Sequence, residues 1–282
     1  QKIQLVASTA HRQKLLDTLQ ALGMMELTEV SREDAEKPQV KVEAAHSAEL
    51  AIANIEFVLK LIKPFAKQRS LMEGPITMSI EDVRKKAQEF NFEPIVEKCR
   101  KIEEQIVALK NEHAMLSATQ EEIEPWQSLS MPLDHIGETD RTITVVGTIQ
   151  KTALAEFKEE IGKLSNLINV EVVSETDSAG YLAITYIKES EKDVKEVMMM
   201  QKFSEAELPS VSHDVKEELA KIKNRKGEIE KELETQDEEL KVIAKDNFDL
   251  QIVHDFYVWE RDKIYAEQMA YNTEYTFSLE GW

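Results

Sequence analysis

The amino-acid sequence predicts an α+β protein in which a long antiparallel coiled coil or helical bundle joins two small α/β lobes, giving a dumbbell. One lobe is a strand-helix-strand unit and the other is ferredoxin-like. Two runs with apolar residues at alternating spacings of four and three, the seam of a left-handed coiled coil, predict the rod. Since roughly ninety residues separate the runs, the second helix can return antiparallel to the first. The seam positions are Ile95, Cys99, Ile102, Ile106, Leu109, His113, Leu116, Gln120 and Ile123, then Val215, Leu219, Ile222, Lys226, Ile229, Leu233, Gln236, Leu240, Ile243, Asn247 and Leu250.

Four segments follow from this pattern. Residues 1–43 and 272–282 form the proximal lobe, and residues 44–132 form the outgoing helices of the rod. Residues 133–209 form the distal lobe, and residues 210–271 form one long returning helix.

The proximal lobe opens with a strand over 2–7 and a helix over 10–22, with Gly23 as a left-handed C-cap. A second strand is expected over 25–30, and such a unit favours a parallel pair with a right-handed crossover. Because two strands alone are unstable, we expect the alternating segment 273–280 to return and join this sheet.

Several helices build the rod. A polar linker is expected over 31–41, a helix over 44–66 and a break over 68–77. Ser79 has the pattern of a helix N-cap, and the long outgoing helix is expected from about Phe92 to Trp126. The apolar stripe of the returning helix widens in its last third, which predicts the helix of residues 44–66 as an additional neighbour.

The distal lobe has a β-α-β-β-α pattern. A strand is expected over 142–150, a helix over 152–164, strands over 170–173 and 181–187, and a second helix around 191–204.

The charge of the chain narrows the classes of partner. Its 54 acidic and 35 basic residues give a net charge of −19, which argues against nucleic acid or an anionic bilayer and suits a basic protein surface. No apolar run approaches the ~18 residues of a membrane span, so we expect no direct membrane insertion. The lone Cys99 indicates a cytosolic chain, and a start at Gln1 without a signal peptide suggests a processed or excised piece.

No residue pattern for catalysis, cofactor binding or metal binding is present in the sequence, so we expect no catalytic, cofactor or metal site. We interpret Cys99 as a buried seam residue and His11 as a surface histidine. The three methionines at 198–200 are expected to pack within the helix core, and the alternative is that they bind a peptide. The acidic run 228–239 is expected to be a solvated helix face, with a docking role as the alternative. Polar residues on the seam are expected to fix its register, with plain tolerance and designed flexure as alternatives.

The two ends of the chain carry a specific resemblance. The segment from Lys2 to Val6, the following helix, and Leu19 to Leu27 (LQALGMMEL) resemble the opening of subunit I, also called subunit a, of V-type and A-type ATPases and ATP synthases. The ending Thr276 to Trp282 (TFSLEGW) resembles the segment just before the membrane domain of that family. The layout of lobe, rod, lobe, rod and closing strand is similar over the whole chain.

This resemblance implies a function without catalysis. It implies a stator arm that links the membrane ion-translocating part to the peripheral stalks and resists rotor torque. The implied partners are the peripheral-stalk heterodimer subunits at both lobes, with the central rotor-adaptor subunit as a further candidate. The resemblance places the chain at the cytoplasmic face of a membrane, with the parent protein anchored by a C-terminal domain absent here. We expect a monomer that docks through the outward faces of the helices 152–164 and 191–204.

Three other functions stay open at this stage. A generic coiled-coil scaffold or chaperone arm would need no rotary partner and would favour a parallel dimer. A tRNA-binding accessory arm and a curved membrane-binding bundle are disfavoured, because both require a basic surface.

Overall fold

The computed structural model describes residues 1–23, 25–28, 42–67, 77–132, 135–208 and 214–282. It mixes helix and sheet in an α+β arrangement, as predicted. The linker expected over 31–41 and most of the break expected over 68–77 lie outside the described residues. The chain divides into two compact units: unit 1 comprises Gln1–Glu104 and Thr235–Trp282, and unit 2 comprises Gln105–Glu234. The predicted division into four segments and the dumbbell shape stay predictions.

Unit 1 contains a sheet built from both ends of its sequence. Its strands are β1 (Ile3–Ser8), β2 (Leu27–Thr28), β8 (Tyr271–Asn272) and β9 (Thr276–Gly281). The order is β1-β9-β2, with β8 also pairing with β9, so the predicted return of the C-terminal strand is confirmed. β1 and β2 run parallel to each other, as predicted, but they are not hydrogen-bonded neighbours, because β9 lies between them and is antiparallel to both. β2 has only two residues, and its hydrogen bonds to the sheet are made with β9, which runs antiparallel to it.

The helix between β1 and β2 follows the sequence closely. α1 (Arg12–Leu22) ends at Gly23, whose φ of +59° is the left-handed conformation that the C-cap prediction requires. The Gly23 N–H donates to the carbonyl of Leu19 over 3.0 Å. Leu16 of α1 is buried with Phe277 and Leu279 of β9. These residues form the hydrophobic core between α1 and the sheet.

Three more helices of unit 1 are α2 (Val42–Ile62), α3 (Ile80–Glu89) and α8 (Asn247–Met269). α3 begins at the predicted cap, where the hydroxyl of Ser79 accepts the N–H of Asp82 over 3.1 Å. This bond satisfies one of the amide donors that a helix leaves free in its first turn.

α8 packs against α2, the neighbour predicted from its wide apolar stripe. The Tyr265 hydroxyl donates to the carboxylate of Glu49, and Nε2 of His254 lies 3.4 Å from Oε1 of Glu56. Small and branched residues of α2 form the contact, and they are buried: Ala45, Ala48, Ala51, Ile52, Ile55, Val58 and Ile62.

The returning segment differs from the single helix predicted over 210–271. α7 spans Val215–Ile243, a 3₁₀ turn occupies Ala244–Asp246, and α8 then continues to Met269. Asp246 has ψ near 5°, outside the α-helical value. Asp and Asn have low helix propensity because their side chains compete for nearby backbone groups, and Asp246-Asn247 is where the helix is interrupted.

Unit 2 contains a sheet with the ferredoxin-like order. Its strands are β3 (Gly137–Glu138), β4 (Thr142–Gln150), β5 (Asn169–Glu175), β6 (Ala179–Ile187) and β7 (Ser204–Glu205). β4, β6 and β5 are antiparallel neighbours in that order, and both β3 and β7 pair with the other edge of β4. The split βαβ pattern predicted from the sequence is therefore present, with β3 and β7 as short additions.

Both faces of this sheet are covered. α5 (Leu154–Leu164) and α6 (Glu191–Met200) cover one face, where Phe157 and Phe203 stack with ring centroids 5.9 Å apart. The other face packs against the end of α4 (Glu93–Ile123) and the beginning of α7, and the core there comprises Ile123, Trp126, Val146, Val173, Ala183, Val215 and Ile222. Coverage of both faces explains why β6 contains few polar residues.

Every seam position predicted in α4 and α7 is buried or half-buried. Their neighbours on the same helices include exposed residues such as Val107 and Met115, so the burial follows the heptad spacing.

Candidate docking surfaces

The outward faces of α5 and α6, in unit 2, carry exposed apolar side chains. Met199 and Met200 at the end of α6 are 76% and 63% exposed, and Leu167, just beyond α5, is 66% exposed. The amide of Gln201 donates to Oε2 of Glu160 over 3.3 Å, which places the end of α6 beside the second half of α5. We call Leu164, Leu167, Met199 and Met200 the α5–α6 surface. It lies on the helices from which docking is predicted.

Ion pairs flank this surface. Lys163 lies 2.7 Å from Glu159 and Lys195 lies 2.6 Å from Glu191, each one helical turn apart. The hydrogen bond from Lys163 lowers the pKa of the Glu159 carboxyl, and the same bond raises the pKa of Lys163. Since each pair compensates its own charge, the exposed methionines and leucines are the main attraction that this surface offers a partner.

Unit 1 has a smaller exposed apolar surface on β1 and α1. Ile3 of β1 and Leu22 of α1 are exposed there, whereas the exposed Val6 lies on the opposite face of β1. Among the described strands, β1 pairs with β9 alone, so it is an edge strand of this sheet. We call Ile3 and Leu22 the β1–α1 surface.

An arginine cluster joins α4 to α7 within unit 2. The Arg225 guanidinium donates to both carboxylate oxygens of Glu112, over 2.7 and 2.9 Å, and also to Glu232 and Glu228. This bidentate bond lowers the pKa of Glu112, and the three carboxylates raise the pKa of Arg225 further above its ordinary value. Arg225 lies one position before the polar seam residue Lys226, and sequence reasoning missed it because heptad counting considers the seam alone.

Polar contacts also fasten α1 to α8 in unit 1. The buried ammonium of Lys263 donates to Asp17 and lies 5.5 Å from the centre of the Trp259 ring. The amide of Gln20 donates to the carbonyl of Trp259 over 2.8 Å, and Arg12 donates to the carbonyl of Glu267 over 3.1 Å. These contacts hold α1 against α8, and no periodic pattern in the sequence predicts them.

The residues singled out in the sequence occupy different environments. Cys99 is fully buried, and burial raises the pKa of its thiol to about 11, so it is a protonated, weak nucleophile at neutral pH. His11 is exposed, in the turn before α1. The methionine triplet is divided, because Met198 is buried in the core whereas Met199 and Met200 are exposed.

The polar seam residues also differ from one another. Lys226 donates across the helix pair to Oε1 of Gln120 over 3.1 Å, in unit 2. Oε1 of Gln236 is buried without a hydrogen-bond partner among the described residues, in unit 1. Asn247 begins α8.

Within the described residues, no group of three or more His, Cys, Asp or Glu side chains is arranged to hold a metal ion. Among the described helices, none is both long and apolar enough to cross a bilayer.

The fold of the chain is similar to that of a solved structure. The crystal structure of the cytoplasmic N-terminal domain of subunit I, a homolog of subunit a, of V-ATPase aligns with this chain with a TM-score of 0.51 and 15% sequence identity. The alignment covers 100% of this chain and 92% of that chain. The two chains share a fold. The resemblance predicted from the two ends of the sequence is thereby confirmed at the level of fold.

Comparison by sequence adds nothing to this. No family model matches the chain, and no curated protein matches it.

The structure brings together the two segments that carry the resemblance. β2 begins at Leu27, the last residue of the segment Leu19–Leu27, and β9 lies in the segment Thr276–Trp282; the two strands are neighbours in one sheet. Backbone bonds between Glu26 and Trp282, of 3.0 and 2.9 Å, extend this pairing beyond the strands.

Proposed function

We propose that this chain is a non-catalytic stator arm of a rotary V- or A-type ATPase. In this role it links the membrane ion-translocating part to the peripheral stalks and resists the torque of the rotor. The observation that carries the proposal is the shared fold with a V-ATPase subunit I domain over the entire chain. The chain would act at the cytoplasmic face of a membrane, with its parent protein anchored by a further domain.

The helix pair supplies the mechanical part of this proposal. α4 and α7 would form an antiparallel coiled coil, because their seam positions are the buried ones. Charged contacts join them in unit 1, where Lys98 lies 3.0 Å from Glu239, and in unit 2, through Arg225 and Glu112. Two helices held side by side resist bending better than one. The bond from Lys226 to Gln120 supports a role of polar seam residues in fixing the register.

The exposed apolar surfaces supply the docking part. The α5–α6 surface in unit 2 and the β1–α1 surface in unit 1 would each bind a peripheral-stalk heterodimer. Two weak contacts joined through one body give a much tighter combined attachment than either contact alone.

A binding titration tests the proposal. The full chain is titrated with the peripheral-stalk heterodimer from the same organism, beside the variant Met199→Glu/Met200→Glu. Introducing two carboxylates into the α5–α6 surface is expected to weaken binding at least 10-fold, because the charges would have to lose water on docking.

A matched control distinguishes docking from a general charge effect. Val107→Glu/Met115→Glu also replaces two exposed apolar residues of unit 2 by glutamate, but on α4. Binding by this control is expected to equal that of the parent chain. Equal losses in both variants would contradict docking at the α5–α6 surface, and no binding by the parent chain would favour a coiled-coil scaffold without a rotary partner.

A further inference from the structure

A basic cleft lies in unit 1 of this strongly acidic chain. It has a volume of about 1220 Å³ and lies between the C-terminal end of α2, with the residues that follow it, and the junction of α7 with α8. Five of its twelve lining residues are lysines, and among these described lining residues none is acidic: the lysines are Lys60, Lys63, Lys67, Lys241 and Lys245. In a chain with 54 acidic residues among 282, this segregation of charge leaves the cleft positive.

Among the described residues, four of these lysines have no ion pair within 4.0 Å, and Lys241 lies 2.7 Å from Glu238. Asp249 pairs with Lys86 over 2.7 Å, and Glu56 faces His254 at 3.4 Å. Asp246 follows Lys245 in the sequence but is not among the described lining residues. The described lining of the cleft is therefore positively charged.

The lining between the lysines is mainly apolar, with Asn247 and Gln251 as its polar members. Leu59 and Phe65 are half-buried, Ala244 is buried, and Phe248 is 40% exposed although it belongs to the apolar stripe of α8. An exposed phenylalanine that lines a charged cleft is a contact point for an apolar side chain.

We propose that this cleft binds an amphipathic acidic helix of a partner protein, with the helix's apolar side on Phe248 and its carboxylates among the lysines. Charge complementarity requires an acidic ligand, and the apolar lining requires one with an apolar side as well. Small-molecule pockets have volumes of about 300–1,000 Å³, so this cleft exceeds them and suits about two helical turns.

The type of cation favours carboxylates over phosphate. Arginine forms the planar, two-pronged hydrogen bonds that recognise phosphate, whereas lysine is a flexible point charge. All five cations among the described lining residues are lysines. A distributed set of carboxylates along a helix suits them better than one phosphate group.

This inference goes beyond the proposed function and does not depend on it. The cleft shares no residue with the α5–α6 or β1–α1 surfaces. Any acidic helix of suitable length tests it without reference to a rotary complex.

The test uses a fluorescein-labelled 18-residue peptide that has leucines along one helical side and glutamates elsewhere. Binding to the full chain is measured by fluorescence anisotropy at two salt concentrations. Lys60→Glu/Lys63→Glu/Lys245→Glu is expected to weaken binding at least 10-fold, and Phe248→Ala at least 3-fold. Binding to the parent chain is expected to weaken with salt, because screening reduces attraction between exposed charges.

Matched controls define the alternatives. Lys101→Glu/Lys110→Glu/Lys223→Glu changes the net charge equally on exposed lysines of α4 and α7, and is expected to change binding less than 2-fold. Lys60→Arg/Lys63→Arg/Lys245→Arg is expected to retain binding. Circular dichroism shows whether the glutamate variant folds. If it does not, Lys60→Gln/Lys63→Gln/Lys245→Gln replaces it, and this variant is expected to weaken binding at least 3-fold.

Three results would overturn the proposal. The first is an equal loss in the cleft variant and the charge-matched control. The second is equal binding of a peptide with the same composition but scattered leucines. The third is stronger competition by tripolyphosphate, or by vesicles containing phosphatidylserine, than by unlabelled peptide, which would assign the cleft to phosphate or to a membrane surface.

Discussion

Gly281 lies where three backbone segments meet. It pairs with Ile3 of β1 on one side and with Leu27 of β2 on the other. A Cβ atom at this position would lie 2.3 Å from the carbonyl oxygen of Glu26 and 2.8 Å from the side chain of Met25. Backbone atoms cannot move aside as a flexible side chain can, so the close approach requires glycine.

Gly281→Ala is expected to lower the free energy of unfolding by about 1–3 kcal/mol, the usual cost of overpacking. Urea denaturation followed by circular dichroism measures this change. Gly227→Ala is the control, since a Cβ there meets nothing within 4 Å and α7 gains helix propensity. We expect the control to raise the free energy of unfolding by about 0.5–1 kcal/mol. A neutral Gly281→Ala would show that β2 and β9 separate easily.

Lys263 places a positive charge in the core of unit 1. Its ammonium is buried and donates to Asp17, which is itself partly exposed. Asp17→Ala is expected to lower the free energy of unfolding by about 1–3 kcal/mol, because a buried donor then lacks its acceptor. Asp17→Ala/Lys263→Met is expected to recover part of this loss, since methionine has no charge to bury. A double variant less stable than the single one would contradict this account.

At the scale of elements, the α4–α7 pair has a pH dependence that follows from Arg225. The hydrogen bond from Arg225 lowers the pKa of Glu112 in the folded state below its unfolded value of about 4.3. Ionised Glu112 therefore stabilises the fold above that unfolded value, and the contribution is lost as the pH falls through the lower folded pKa.

Glu112→Gln is accordingly expected to reduce the difference in urea midpoint between pH 7 and pH 3. Glu122→Gln, on an exposed position of the same helix, is expected to leave that difference unchanged. Because Glu112 and Arg225 are partly exposed, 1 M salt should also reduce the effect of the first variant. An unchanged pH dependence in Glu112→Gln would show that the pair contributes little.

Long periodic elements could be predicted from the sequence, whereas short or distant pairings could not. β4 was predicted at its observed bounds, and α5 within two residues of its observed start, because apolar alternation changes to helical spacing after Gln150. β3 and β7 have two residues each, too few to show a period. The position of β9 between β1 and β2 depends on hydrogen bonding between residues more than 250 positions apart, which no local pattern records.

The candidate sites followed the same division. The helices of the α5–α6 surface were predicted from their apolar spacing, whereas the exposure of Met199 and Met200 was not, because the triplet 198–200 was interpreted as helix packing. The basic cleft was not predicted, because its lysines come from two segments that are far apart in sequence. Arg225 was missed because a single arginine among many charged residues of α7 has no distinguishing local context.

For the whole molecule, the heptad pattern leads to a prediction about assembly. If α4 and α7 of one chain pair with each other, their seams are already filled and no second copy is needed. Sedimentation equilibrium is therefore expected to give a monomer of 32.3 kDa. A stable dimer would instead favour the scaffold reading, in which seams of two chains pair.

The central position of β9 determines the order in which the chain can fold during synthesis. β1 and β2 leave the ribosome early, but the strand that joins them emerges roughly 250 residues later, on the order of 12–50 s at ordinary elongation rates. Unit 2 is contiguous, over Gln105–Glu234, and can fold during that interval. Until β9 is made, Ile3, Leu5 and Leu27 have no strand to pair with. The nascent chain therefore exposes two unpaired strands for most of its synthesis, and these are the segments that a holding chaperone would bind.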